Sequence, residues 1–250
     1  MFRTLLLALI LATLSAKAQP DTSLLHKAYH QQSRLLLDQF LEKWYQNNLL
    51  PDSSKTKQKS VINEVISAFY TKENLVKMDE YEYFQKSYKN TDYLFLPDTI
   101  SIYSIKQDTN TRYVSKKGES KGVIKNFRTV IPSSNKKVIY LHAEDKKMFD
   151  DFLLINLPKG ITKENIKYII NERVKRQHFL SLAVALSHSS SWGFNVTPVT
   201  YPNFVGVYLN EKSTTAIVEF RSTKGGGAEA IFKKSGNTWV FSSVHPTWME

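Results

Sequence analysis

The chain of 250 residues contains no cysteine, and this absence excludes several classes of protein at once. Without a thiol there is no disulfide framework, no cysteine-ligated zinc or iron–sulfur centre, and no cysteine nucleophile. Glycine and proline are scarce, at nine and eight residues, so the sequence is neither collagen-like nor of low complexity. Apolar residues make up 42% of the chain, which is enough to build a hydrophobic core. We therefore expect an ordinary globular protein.

The sequence also lacks a hydrophobic run long enough to span a membrane, and its most apolar run lies near the N-terminus. Arg3 precedes the ten-residue run Leu5–Leu14, and residues 16–18 (Ala-Lys-Ala) have the small-x-small form that signal peptidase accepts. A spanning helix needs about 20 apolar residues. We expect residues 1–18 to be a removable signal peptide. The mature protein would then begin near Gln19 and be secreted or periplasmic, soluble and without a transmembrane segment.

Basic residues outnumber acidic ones, and the formal net charge is +11. Most of the excess lies between Lys106 and Lys147, where eleven basic residues accompany four acidic ones. Lysine supplies 27 of the 34 basic residues, whereas bidentate grip on phosphate favours arginine. No zinc finger, basic heptad region or RNA-binding signature accompanies the charge. We expect a solvated surface without specific nucleic-acid binding, with attraction of anionic polymers as the alternative.

Two amphipathic helices are predicted after the signal peptide. Apolar residues recur at steps of three and four from Thr22 to about Asn48, which predicts one long helix. A second apolar stripe within 61–70 predicts a helix that begins after Ser53 or Ser54. Pro51 separates the two, so the helices are expected to pack antiparallel.

The middle of the chain predicts mixed structure. Short runs of apolar and β-branched residues predict strands at Tyr93–Leu96, Ile100–Ile105 and Val138–Leu141. Spaced apolar residues predict a short helix at Asp145–Leu154. The polar, lysine-rich stretch Gln107–Gly122 predicts a long loop or hairpin.

The last third of the chain predicts one helix followed by an antiparallel meander. Thr162 can cap the helix, which is expected to end before Ser181. Short turn sequences separate four runs rich in β-branched and aromatic residues, and consecutive strands joined by short turns pair antiparallel. The predicted strands are Asn203–Leu209, Thr214–Arg221, Ala228–Lys233 and Asn237–Val244.

These elements predict an α+β fold, in which N-terminal helices pack on the apolar face of a curved antiparallel sheet that the C-terminal meander forms. We divide the mature chain into 19–158, a helical hairpin with the basic mixed segment, and 159–250, a helix with the meander. The second part can form one domain with the N-terminal helices.

The order of motifs resembles secreted bacterial proteins of the NTF2-like (cystatin-like) superfamily. The likeness rests on the two leading helices, on His188 and Trp192-Gly193, and on the run from Val205 to the terminal sequence VHPTWME at 244–250. It implies helices lying across a strongly curved sheet that encloses a conical cavity. The superfamily includes enzymes, ligand binders, adaptors and immunity proteins, so the fold alone does not select a function.

If this resemblance holds, seven polar and aromatic side chains are placed at the mouth of the cavity. Tyrosine and tryptophan offer an apolar body with a polar tip, and a histidine beside a carboxylate can perform acid–base chemistry. The alternative is a set of cross-strand ion pairs on a solvated face. The candidate ligand-binding residues are His188, Trp192, Tyr201, Glu219, Arg221, Glu229 and His245.

Three further motifs match known patterns only in part. Residues 118–122 (Gly-Glu-Ser-Lys-Gly) match the serine-hydrolase elbow but lack its preceding buried strand and following helix. His26 and His30 have metal-ligand spacing, but no glutamate follows the first histidine and a lysine lies between them. Residues 224–227 (Lys-Gly-Gly-Gly) precede a strand and predict a hairpin turn rather than a phosphate loop. No metal and no cofactor is predicted.

The leading functional hypothesis is therefore a non-catalytic envelope protein that binds a small ligand or a protein. One alternative is a small-substrate hydrolase or isomerase that uses a histidine–carboxylate pair drawn from His188, His245, Glu219 and Glu229. A second alternative is a basic surface protein that binds anionic polymers, and a third is an immunity or inhibitor protein.

Overall fold

A computed structural model describes most of the chain, and its contacts divide the chain into two compact units, residues 1–50 and 51–250. The expected signal peptide, the turn at Pro51 and the candidate residues His188 and Trp192 lie outside the described residues. The described ranges are 22–48, 57–105, 118–155, 162–186 and 199–248.

The first unit contains two helices, α1 (Thr22–His30) and α2 (Arg34–Asn48), where the sequence predicts one. The helix is interrupted at Gln32, whose φ of +48° is not helical. Ser33 then caps α2, because its hydroxyl accepts a hydrogen bond from the Leu36 amide at 3.3 Å. The apolar spacing continues through the break, so periodicity alone does not reveal it.

The second unit contains five helices among its described residues. Two of them, the short helices α4 and α5, are not predicted. The Thr71 hydroxyl accepts a hydrogen bond from the Asn74 amide at 3.3 Å and caps α4. Thr162 caps the last helix as predicted, but that helix continues to Ser181 rather than ending before it. The bounds are α3 (Lys57–Phe69), α4 (Lys72–Lys77), α5 (Tyr81–Ser87), α6 (Ala143–Phe152) and α7 (Lys163–Ser181).

None of the helices within the described ranges is both long enough and apolar enough to cross a bilayer.

Nine strands form two sheets in the described part of the second unit. The first sheet has six strands in the order β3-β2-β6-β7-β8-β9, and the second has three in the order β4-β1-β5. The strands are β1 (Tyr93–Pro97), β2 (Ile100–Ile105), β3 (Glu119–Ile124), β4 (Lys137–Leu141), β5 (Val184–Ala185), β6 (Asn203–Asn210), β7 (Thr215–Arg221), β8 (Gly227–Ser235) and β9 (Thr238–Trp248).

The antiparallel meander β6-β7-β8-β9 is confirmed. Its turns use glycine where the backbone needs positive φ: Gly225 and Gly226 have φ of +85° and +84°, and Gly236 has +58°. These residues lie in the predicted hairpin turns, which explains why local sequence sufficed to place the strands.

The fold is α+β, but the six-stranded sheet is mixed and the three-stranded sheet is parallel, so the strands are not purely antiparallel. β1 pairs in parallel with both β4 and β5, and β2 pairs in parallel with β6. The β2–β6 pair places a strand of the predicted part 19–158 and a strand of the predicted part 159–250 side by side in one sheet. Parallel neighbours need long crossover connections, so no turn sequence indicates them.

Of the two alternatives predicted for Gln107–Gly122, a long loop or a hairpin, the described residues agree with the hairpin, because 119–122 belong to the edge strand β3. This strand pairs antiparallel with β2 and is exposed along its length. Its sequence is polar because only its backbone is used for pairing. A register shift opposite Ile102 and Tyr103, together with φ of +125° at Gly122, accommodates one extra residue. The remainder of the predicted loop, 107–117, lies outside the described part.

Helix α3 covers one face of the six-stranded sheet. Its buried side chains share a core with alternate residues of β7, and the rings of Phe69 and Phe220 lie 5.0 Å apart. Ala216 and Val218 are fully buried in the same core. The apolar face of the second predicted strand is therefore covered by a helix, as the alternation of residues predicts.

Candidate functional site

Three of the predicted site residues form a row across the opposite face of the six-stranded sheet. Glu219 of β7 is the register partner of Glu229 of β8, which is in turn the partner of His245 of β9. Cross-strand partners in antiparallel pairs project to the same side of the sheet. The structure therefore places two carboxylates and an imidazole in neighbouring positions. We call Glu219, Glu229 and His245 the sheet-face row.

A tyrosine of β6 extends this row. The Tyr208 hydroxyl donates a hydrogen bond to Glu219 Oε2 at 2.9 Å, and its ring stacks on Tyr103 with centroids 4.5 Å apart. Burial raises the pKa of Tyr208, and the hydrogen bond to Glu219 raises it further, because the carboxylate stabilises the protonated phenol. The phenol therefore stays protonated and acts as a donor.

At the other end of the row, the histidine contacts a hydroxyl. His245 Nε2 and Ser243 Oγ lie 3.2 Å apart on the same strand. Glu229 is 1% exposed, so the row includes a carboxylate that is almost completely removed from solvent. A serine hydroxyl, an imidazole and a neighbouring carboxylate are the groups that acyl-transfer sites combine.

The remaining two described candidates lie beside the row. Arg221 follows Glu219 on the same side of β7, and its guanidinium donates a hydrogen bond to the Tyr201 hydroxyl at 3.4 Å. Thus five of the seven predicted side chains belong to one side of the sheet and its end. Their role in binding a ligand stays a prediction.

Sequence reasoning missed a groove at the end of the same sheet. It has a volume of about 920 Å³ and is only partly enclosed. Its walls within the described chain are the end of β2 (Ile102–Ile105), the start of β3, the β6–β7 turn (Leu209–Thr214), Gln58 and Val61 of α3, and Lys234 of β8. We call this cavity the strand-end groove.

The position of the strand-end groove follows from strand pairing. β2 and β6 are parallel, with Ser104 opposite Leu209, so the carboxyl ends of the two strands lie side by side at one end of the sheet. Ile102 and Leu209 belong to the core under α3, whereas Tyr103 and Ile105 pack on the opposite face. The groove therefore lies where both faces end. Carboxyl ends of parallel strands are a common location for ligand sites.

The turn that forms one wall is shaped by its own side chain. Asn210 Oδ1 accepts hydrogen bonds from the backbone amides of Thr214 at 2.8 Å and Thr215 at 3.1 Å. Ser213 takes a positive φ of +51° within this turn. The local signal, Asn210-Glu211-Lys212, predicts a turn correctly but says nothing about the cavity beside it.

Charged side chains of both signs line the groove. Lys121 and Glu119 of β3 lie 3.9 Å apart, and Lys234 lies 3.7 Å from Glu64 of α3. Lys212 and Glu211 of the turn are exposed. The side chains of Lys121 and Glu119 are 52% and 55% exposed, and those of Lys234 and Glu64 are 28% and 45% exposed, so neither pair is buried and each contributes little.

A histidine–aspartate pair, also missed by the sequence, lies at the end of the parallel sheet. Asp98 follows β1 and His142 follows β4, and Asp98 Oδ2 hydrogen-bonds His142 Nδ1. Asp98 also binds through its backbone, accepting from the Phe127 amide at 2.6 Å and donating to the Leu141 carbonyl at 3.1 Å. These bonds hold the segments that follow β1 and β4 in place. We therefore give the Asp98–His142 pair a structural role.

Three cations of the basic segment contact aromatic rings or backbone carbonyls of the same chain. The Arg128 guanidinium lies 4.5 Å from the Tyr140 ring centre, Lys136 donates to the Thr91 carbonyl, and Lys137 lies over the ring of Tyr93. Lys136 is partly buried, which lowers its pKa. These contacts favour a structural role for part of the basic excess.

Among the residues that the structure describes, no three or more histidine, aspartate or glutamate side chains form a cluster that could hold a metal ion. His26 and His30 of α1 have ring centroids 6.5 Å apart.

The chain was compared with protein-family models, with curated proteins and with solved structures. None of the three comparisons gives a match.

Proposed function

We propose that this protein is a non-catalytic ligand-binding protein of the cell envelope, and that a small ligand occupies the strand-end groove. The observation that carries the proposal is the groove itself. Its volume of about 920 Å³ lies within the range of small-molecule sites, roughly 300–1,000 Å³. Val61, Tyr103 and Leu209 give it apolar walls, and hydroxyl and charged groups surround them, which is the usual composition of such sites.

The envelope location rests on the predicted signal peptide. An apolar run after Arg3 and the Ala-Lys-Ala site at 16–18 support export and cleavage. Expression of the full chain with its native N-terminus, followed by mass spectrometry of the secreted or periplasmic product, would give a mature form that begins at Gln19. Retention of residues 1–18 on a cytoplasmic product would contradict this location.

Membership of the NTF2-like superfamily is part of the same proposal. The support is the confirmed meander of β6 to β9 and the helix α3 that lies across its apolar face. An experimental structure that shows a strongly curved sheet with a conical cavity would support the assignment. A flat six-stranded sheet would contradict it.

The groove can be tested with a neutral apolar probe. N-phenyl-1-naphthylamine gains fluorescence when it leaves water, and we expect saturable binding to the mature protein. Ser104→Trp places a large ring in the groove, so binding should weaken at least about tenfold, which corresponds to roughly 1.4 kcal/mol. The matched control is Val130→Trp at an exposed position outside the groove, where binding should not change.

A second groove-blocking variant keeps the test valid if Ser104→Trp does not fold. Gln58→Trp adds the same ring from an exposed position in the first turn of α3, where the fold tolerates it more easily. Equal probe binding by the wild type and both folded blocking variants would show that the groove is not the site.

The sheet-face row supports a second candidate function, hydrolysis of a small ester. The distance of 3.2 Å between Ser243 Oγ and His245 Nε2 favours it, because an imidazole at this distance can accept the hydroxyl proton. We expect any release of p-nitrophenol from p-nitrophenyl acetate to fall at least about 100-fold in His245→Ala. An unchanged rate in that variant would remove this candidate.

A further inference from the structure

We infer that the ligand of the strand-end groove is a single-chain amphiphile with an anionic head, such as a fatty acid. This inference rests on the proposed function, since it concerns the same groove. It commits to a free monomeric ligand rather than to a bilayer surface, because the groove is a concavity between a helix end and strand ends and not a flat apolar patch.

The apolar part of the ligand matches the groove walls. Val61 of α3 and Tyr103 of β2 are half-buried, so they retain surface that a ligand can cover. Behind them lie the buried side chains of Ile102, Ile105 and Leu209. Covering apolar surface contributes about 25 cal/mol per Å², so an alkyl chain gains more from this wall than a compact polar molecule does.

The anionic head matches the lysines. Lys121, Lys212 and Lys234 come from three different segments, β3, the β6–β7 turn and β8, and all three line the groove. Lysine combines a long alkyl stem, which lies along apolar surface, with an ammonium group that reaches solvent. An acyl chain beside the stems therefore brings its carboxylate near the ammonium groups.

The carboxylates of the groove do not cancel this preference. The lining contains three lysines and two glutamates, Glu119 and Glu211. Glu119 lies 3.9 Å from Lys121, and Glu64 lies 3.7 Å from Lys234; none of these four side chains is buried, so each pair contributes little. Lys212 forms no ion pair within the described chain, so its ammonium can pair with a ligand. The net charge, +11 for the full chain and +9 once Arg3 and Lys17 are removed with the signal peptide, adds an attractive field for an anion.

The test compares three ligands with the same alkyl chain. Dodecanoate, dodecan-1-ol and dodecylammonium, each below the concentration at which it forms micelles, compete with N-phenyl-1-naphthylamine for the mature protein. We expect dodecanoate to displace the probe at about a fivefold lower concentration than dodecan-1-ol, and dodecylammonium to be weakest. The advantage of dodecanoate should shrink as salt is raised, since exposed charges are screened.

The outcomes separate this inference from the proposed function. Saturable probe binding with equal displacement by dodecanoate and dodecan-1-ol would overturn the anionic head while leaving the groove as a ligand site. If none of the three amphiphiles reduces probe binding, the inference that the ligand is a single-chain amphiphile would be overturned. Failure of the probe to bind at all, or binding that the groove-blocking variants leave unchanged, would overturn the proposed function as well.

Charge variants locate the head. Lys212→Met keeps the alkyl stem and removes the charge, and we expect it to reduce the advantage of dodecanoate to about twofold or less without changing displacement by dodecan-1-ol. The control is Lys147→Met on α6, whose side chain is 73% exposed and lies outside the groove. If Lys147→Met reduces the advantage of dodecanoate over dodecan-1-ol equally, the net charge of the protein and not the groove selects the anion. The placement of the carboxylate beside the groove lysines would then be wrong.

A last experiment distinguishes binding of a free monomeric ligand from binding to a membrane surface. Sedimentation with phosphatidylglycerol vesicles should leave the protein in the supernatant at physiological salt. Binding to these vesicles without displacement of the probe by monomeric dodecanoate would assign the lysines to a membrane surface and overturn the inference.

Discussion

The two faces of the six-stranded sheet are built from the same strands and differ in what they bury. Toward α3, alternate residues of β7 (Ala216, Val218 and Phe220) enter a core of aliphatic and aromatic side chains. On the other face, the intervening positions include Ile217 and Glu219, and the neighbouring strands add further ionisable groups. One face therefore stabilises the fold by removing apolar surface from water, whereas the other must satisfy polar groups.

The difference shows how a sheet can combine stability with chemistry. Burial of a large apolar side chain contributes about 1.5–3 kcal/mol with no need for a specific partner. A buried polar group stabilises only when its hydrogen bonds are made, as Tyr208 does with Glu219. The helix-side face thus tolerates exchange of one apolar residue for another of similar size, while the opposite face depends on particular partners.

The largest expected effect is on the helix-side face. Phe220→Ala removes a ring that is 1% exposed and packs on Phe69. We expect a loss of about 3–5 kcal/mol in the free energy of unfolding, measured by urea denaturation, because a cavity remains between α3 and β7. Val240→Ala at a position 47% exposed is the control and should change the free energy by less than about 0.5 kcal/mol. Equal losses in the two variants would contradict the assignment of the core.

A smaller effect is expected on the opposite face. Tyr208→Phe keeps the ring stacked on Tyr103 but removes the hydroxyl that donates to Glu219 at 2.9 Å. We expect a loss of about 1–3 kcal/mol, because a partly buried carboxylate then lacks a donor. Tyr168→Phe, at a position 68% exposed, is the control.

A double-mutant cycle sharpens this prediction. If the hydrogen bond is the cause, Glu219→Ala should cost less in the Tyr208→Phe background than in the wild type. Additive losses would mean that the two side chains do not depend on each other.

A third carboxylate, that of Glu80, is buried outside both faces and tests the cost of removing a charge from water. Glu80, 3% exposed, accepts hydrogen bonds from the Ser222 hydroxyl at 2.5 Å and the Thr223 amide at 2.8 Å, which attach the β7–β8 turn to the segment before α5. Burial raises the pKa of Glu80, and these hydrogen bonds offset the shift only in part.

The sign of the pH effect follows from this raised pKa. Between the unfolded pKa, about 4.3, and the raised folded pKa, the folded state holds more protons than the unfolded state. The stabilising contribution is fully present below the unfolded pKa and is lost as pH rises through the folded pKa. We expect the wild type to lose stability relative to Glu80→Gln over this window and to run parallel to it at higher pH. A difference that grows in the opposite direction would contradict the raised pKa.

The smallest expected effect is at the sheet edge. Lys121→Ala on β3 breaks a pair with Glu119 whose side chains are 52% and 55% exposed. We expect a change of less than about 0.5 kcal/mol in the free energy of unfolding. A loss above about 1 kcal/mol would show that the edge strand depends on this pair and not on its backbone bonds to β2.

Local sequence was sufficient for the meander and for helices α3, α6 and α7, but it indicated neither α4 and α5 nor the strand partners that are distant in the chain. Glycines occupy the β7–β8 and β8–β9 turns, and Asn210 shapes the β6–β7 turn, so pairing follows from neighbouring residues. By contrast, Leu94 pairs with Val138 and with Ala185, and no local pattern reports such distant partners. The polar sequence of β3 leaves a loop and a hairpin both open for the same reason, since only pairing with β2 makes it a strand.

The candidate site divides in the same way. Sequence singled out Glu219, Glu229 and His245 as chemically capable, but only the register of three strands places them side by side. The strand-end groove had no sequence signal, because its walls come from segments as far apart as Val61 and Lys234.

The amino-acid sequence by itself determined the hairpins of β6 to β9 and the helices α3, α6 and α7, because periodicity, caps and turn residues act over a few neighbouring positions. Tertiary structure alone decided the parallel pairing of β2 with β6, the face on which each carboxylate lies and the existence of the groove. These features depend on contacts between residues far apart in the chain, whose geometry is fixed only when the strands pack together.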